Sequence, residues 1–74
     1  MSYEKWVYLK DGKLFMHVEN DGARHLRRGP EASDWEVSLD DEHLRAYPHL
    51  VADAKTLLAH REAGILDHAP LARR

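Results

Sequence analysis

Six histidines in 74 residues invite a metal-binding or acid–base reading, because imidazole ligates metals and titrates near neutral pH. On the C-terminal helix expected below, His49, Asp53, Thr56 and His60 recur at spacings of four, three and four and share one polar stripe. His49 and Asp53 can meet across one turn. His49 and His60, however, lie about 16 Å apart along the axis at ~1.5 Å per residue, too far for a single ion. No His-Glu-x-x-His pattern occurs. His17 and His25, if brought together across two strands, supply two ligands at most, and His43 sits within reach of Asp40 or Glu42. The expectation is no metal and no cofactor, with the histidines solvated or facing a partner.

Covalent chemistry has fewer candidates still. Cysteine is absent and the serines are Ser2, Ser33 and Ser38, none in a glycine-flanked nucleophile turn. Ser38 suits a helix cap better than a nucleophile. The glycines, at 12, 22, 29 and 64, are accounted for by turns and a helix end, so no loop remains to cradle phosphate. Carboxylates are plentiful, but a two-layer domain of this size has little room for a cleft deep enough to perturb them. The chain is read as non-enzymatic.

Recognition chemistry is better represented. Trp6, Tyr8 and Phe15, with His17, His25 and Arg27, form an aromatic and basic set whose flat rings could stack on unpaired bases while arginines meet phosphates. The same residue types build protein interfaces. The RNA-recognition signature is missing and the net charge is −2. Glu31, Asp34, Glu36, Asp40, Asp41 and Glu42 form a second set, six acids with no intervening base. Such a run suits a capped helix start, or an acidic surface that docks into a basic groove, as in small phage-type inhibitors. Charge is unevenly spread: residues 1–29 carry +2 and residues 30–74 carry −4, which bears on partners rather than on fold.

These residues depend on a small number of elements. Segments 3–9 and 14–19 alternate, and Asp11-Gly12 between them supplies the two positive-φ positions of a type I′ hairpin turn. Lys10 then pairs with Lys13, Leu9 with Leu14, Tyr8 with Phe15, Val7 with Met16 and Trp6 with His17. Val7, Leu9, Leu14, Met16 and Val18 fall on one face, and Trp6, Tyr8, Phe15, His17 and Glu19 on the other. A three-residue loop 20–22 predicts a third strand over 23–28, with Met16 opposite Leu26, His17 opposite His25 and Phe15 opposite Arg27. "DWEVSL" alternates again, with Trp35, Val37 and Leu39 on one side, as a fourth strand or an extended lead-in to helix.

A short helix is expected over 39–47, capped by Ser38 or Asp40. Pro48 ends it and opens a long helix whose apolar stripe is Leu50, Val51, Ala54, Leu57, Leu58 and Ile65, closed by Gly64. The fold class is α+β, a two-layer domain in which an antiparallel meander of three to four strands packs on one long C-terminal helix preceded by a short one. Residues 1–74 make one domain with a partly ordered tail over 67–74. The helix takes the aliphatic face, which leaves the aromatic face to the C-terminal segment 65–71, a second copy or a partner.

No run approaches ~18 apolar residues and no signal peptide pattern opens the chain, so the expectation is a cytoplasmic protein. The function expected is a protein-binding module, most concretely a small regulator or inhibitor that occludes a larger, nucleic-acid-handling machine. A weak single-stranded nucleic-acid binder using the aromatic and basic face is the alternative.

Overall fold

A computed structural model describes residues 3–20 and 31–71. The elements run β1 (Tyr3–Lys10), β2 (Lys13–Asn20), β3 (Glu31–Glu36), α1 (Glu42–Arg45) and α2 (Pro48–Glu62). The three strands form one antiparallel sheet in the order β1-β2-β3. The architecture is the expected small α+β domain.

The hairpin forms in the expected register, from Lys10 opposite Lys13 through Trp6 opposite His17. Asp11 and Gly12 take φ of 54° and 74°, the left-handed pair that a two-residue turn needs to match strand twist. Alternation then sorts the side chains. Val7, Leu9, Leu14 and Met16 are buried with Leu50, Ala54 and Leu57 of α2, while Val37 and Leu44 complete the core. Val51, Leu58, Trp35 and Leu39 pack at its margin.

The second edge of β2 corrects one expectation. Its partner is Glu31–Glu36, so His17 faces Asp34, Phe15 faces Glu36 and Met16 faces Trp35, in place of His25, Arg27 and Leu26. The reason is apolar supply. A strand over 23–28 in the predicted register places Arg24 and Arg28 beside Leu26 on the core face, where unpaired charge is costly. Trp35 and Val37 put apolar groups there and leave Asp34 and Glu36 outside. The predicted strand 23–28 itself lies outside the described residues.

Two helix ends also differ. The α1 cap is Asp41, whose side chain accepts from the His43 N–H at 2.8 Å, rather than Ser38 or Asp40. The Ser38 carbonyl instead accepts from the Asp41 N–H at 3.1 Å, a turn that brings Asp41 into capping position. Pro48 opens α2 as expected. Ile65 is not part of its buried stripe: Ala63 is the C-cap, Gly64 has φ of 93°, and Ile65 is 40% exposed. The Gly64 N–H donates to the Arg61 carbonyl and the Ile65 N–H to that of His60, the pair of bonds that reverses a chain at a helix end.

Candidate functional site

The sheet has a second face, which α2 does not cover. β1 contributes Glu4, Trp6, Tyr8 and Lys10 to it, β2 contributes Lys13, Phe15, His17 and Glu19, and β3 contributes Asp34 and Glu36. Trp6, Tyr8, Phe15 and His17 are half-buried there. Directly opposed residues on two strands bring rings together. Trp6 stacks on His17 with centroids 4.2 Å apart and planes at 16°, and Tyr8 on Phe15 at 5.7 Å and 15°.

Asp34 ties the two stacks together. The Tyr8 hydroxyl donates to Asp34 Oδ2 at 2.5 Å, and His17 Nδ1 lies 2.8 Å from Asp34 Oδ1. A carboxylate only accepts, so Nδ1 carries the hydrogen. His17 Nε2 is inaccessible, has no hydrogen-bond partner among the described residues, and lies 3.6 Å from Glu19 Oε1. The imidazole nitrogen that would address a substrate therefore points into the sheet face beside a carboxylate. Chemically, the cluster orients rings and holds charge.

Its electrostatics follow. Burial, the hydrogen bond to Asp34 and the Asp34 charge all push the Tyr8 phenol up to about 12. Burial on its own would raise Asp34, but the hydrogen bonds from Tyr8 and His17, with the charges of His17 and Lys10, outweigh it and hold the carboxyl below its usual value. A phenol raised in the folded chain contributes stability below pH 10.0 that is lost as pH rises towards about 12. A carboxyl lowered in the folded chain contributes stability above pH 3.8 that is lost as pH falls below it. Ultraviolet titration of tyrosinate is expected to show a step near 12 that Tyr8→Phe removes. An unchanged titration in that variant would contradict the clamp.

The aromatic residues thus come together as expected, while His25 and Arg27 lie outside the described residues. The acidic run does not form one surface. Asp34 and Glu36 belong to the aromatic face, Asp41 is the cap of α1, and Asp40 and Glu42 are exposed beside it; Glu31 is the first residue of β3. The spacing of Asp34 from Tyr8, 26 residues, hides its role as a clamp. The signal for it was the alternation in "DWEV", which sets Asp34 and Glu36 on the face opposite Trp35 and Val37. Of the other histidines, His60 stacks on His68 at 4.9 Å and His43 lies edge-on to Trp35 at 5.9 Å. Among the described residues no three His, Asp or Glu side chains are grouped to hold a metal, and no helix is long and apolar enough to cross a membrane.

No family model matches the chain, and no curated protein or solved structure matches it either.

Proposed function

We propose that this protein is a non-enzymatic protein-binding module, most concretely a small regulator that acts by occluding a surface of a larger, nucleic-acid-handling machine. The observation that supports it is the sheet face that α2 does not cover, where two stacked ring pairs are held in place by Asp34. Rings already ordered lose little entropy on contact, and aromatic side chains of this kind anchor protein interfaces. Charge favours a protein over nucleic acid here. Among the described residues the face carries Glu4, Glu19, Asp34 and Glu36 against Lys10 and Lys13, a balance that repels phosphate. Asp40 and Glu42, exposed at the start of α1, add a field that steers towards a basic partner.

Two variants test the two surfaces separately. Phe15→Glu places a charge in the middle of the ring cluster and is expected to weaken protein association through this face by roughly tenfold or more. Asp40→Lys with Glu42→Lys leaves the Asp41 cap intact and is expected to slow association with a basic partner several-fold at low salt. Circular dichroism checks that each variant is folded. Tight binding of an unstructured oligonucleotide, with affinity falling steeply with salt, would overturn the protein-binding reading in favour of a single-stranded nucleic-acid binder.

A further inference from the structure

We infer that segment 66–68 is a pH-sensitive strap over the outer edge of β1, latched to α2 by the stacked pair His60 and His68 and released when both rings are charged. The register assembles the latch. The Leu9 N–H donates to the His68 carbonyl and the His68 N–H to the Leu9 carbonyl, each at 3.0 Å, so His68 stands directly opposite Leu9 in an antiparallel rung. Directly opposed residues share one side of a sheet, and Leu9 is buried on the side that packs against α2. His68 therefore faces the helix, where its ring lies flat on that of His60, centroids 4.9 Å apart and planes at 8°.

Few other contacts hold the strap. The next position of the same hydrogen-bonding kind lies two residues further along the edge, where Val7 stands opposite Pro70. Proline has no N–H to donate, so the rung does not extend that way. On the other side the Gly12 N–H donates to the Leu66 carbonyl at 2.9 Å and the Asp11 N–H to Asp67 Oδ1 at 3.0 Å. A segment held by so few bonds opens locally without the rest of the domain, so the stack weighs heavily in keeping it closed.

His68 Nδ1 lies 2.6 Å from the Ala69 carbonyl oxygen, which only accepts, so Nδ1 carries the hydrogen and Nε2 takes the next proton. Two neutral rings, or one neutral ring and one imidazolium, stack favourably. Two imidazolium rings at this separation repel each other, enough to shift the opening equilibrium by roughly tenfold or more. The charged groups on the elements that meet here are Arg61 and Glu62 of α2, Lys10, Asp11 and Lys13 around the turn, and Asp67 of the segment. Arg61 donates to the Gly12 carbonyl at 3.2 Å and adds positive charge beside the pair, while Asp67 accepts from the Asp11 N–H. Neither ring has an ion-pair partner among the described residues, so nothing offsets a second charge. Free imidazole takes up its proton around pH 6.5. The latch therefore holds above that range and is lost as pH falls through it.

Amide hydrogen exchange of the full chain at about pH 7.5 and about pH 5.5, one unit either side of free imidazole, tests this once rates are corrected for the intrinsic effect of pH. The Leu9 and Gly12 amides are expected to lose roughly tenfold in protection at the lower pH. Tyr8, bonded inward to β2, is expected to keep its protection and so reports that the sheet stays folded. His60→Phe keeps a flat ring on His68 but leaves one site for charge, and is expected to hold protection at both pH values. His68→Phe does the same from the segment's side and serves if His60→Phe folds poorly. Equal wild-type protection at both pH values overturns the inference. So does a loss undiminished in the phenylalanine variants, which would place the titrating group elsewhere, or a loss shared by Tyr8, which would mean that the whole sheet opens.

Discussion

Replacing Leu57 with alanine is expected to remove most of the domain's stability. Leu57 is 0% exposed, on the stripe of α2 that closes against Val7, Leu9, Leu14 and Met16. Truncating a fully buried leucine costs roughly 2–5 kcal/mol, because the lost burial is joined by a cavity that the neighbours fill only in part. Small domains rarely have more than a few kcal/mol from their cores, and no disulfide is present to compensate. A urea melt followed by circular dichroism is expected to show a large fraction unfolded in water at room temperature, whereas Leu58→Ala, at a half-buried position, leaves a folded baseline. Near-equal melts for the two variants would mean that the helix does not close the core in the way described.

The apolar stripe that carries both Leu57 and Leu58 was legible in the helical spacing, though not the deeper burial of Leu57; so was the hairpin, since both depend on residues close in sequence. Asp11-Gly12 determines the turn, and the turn determines every pairing down to Trp6 and His17. The third strand was not legible by the same means. A second loop had to be assumed, and a one-residue change in it reverses the faces of all that follows. Two segments alternated, and the choice between them depended on which one could place apolar groups beside Met16. Trp35 does so, as Arg24 and Arg28 could not.

The candidate site divides along the same line. Its rings follow from the hairpin alone, but Asp34 reaches Tyr8 and His17 only through the choice of β3. Once β3 is next to β2, two of the six acids, Asp34 and Glu36, become part of the aromatic face, and two surfaces that looked separate in sequence overlap. The cap of α1 was missed by one residue because Ser38, Asp40 and Asp41 are all good caps. The Ser38 turn selects among them, and no propensity records it.

Ending the chain after Ile65 is expected to lower stability by about 1–3 kcal/mol and to open the outer edge of β1. Leu9 exchanges two backbone hydrogen bonds with His68, each 3.0 Å, and the Gly12 N–H donates to the Leu66 carbonyl at 2.9 Å. The Asp11 N–H donates to Asp67 Oδ1 at 3.0 Å. Segment 66–68 therefore adds a short fourth rung to the sheet beside the turn, edge-on. It does not bury the rings: Leu66 and Leu71 stay 53% and 40% exposed. Each of the four bonds contributes about 0.5–1.5 kcal/mol net, and the freed tail regains conformational entropy that offsets part of the loss. Retaining Ile65 keeps the hydrogen bonds that close α2, so the measured loss belongs to the edge. Hydrogen exchange is the direct readout, with the Leu9 and Gly12 amides expected to lose protection while Tyr8, bonded inward to β2, keeps it. If all three amides exchange as before, the segment lies against β1 without holding it. If protection falls and the shortened chain also aggregates with time, the segment is the cover that keeps an exposed edge strand from pairing with other chains.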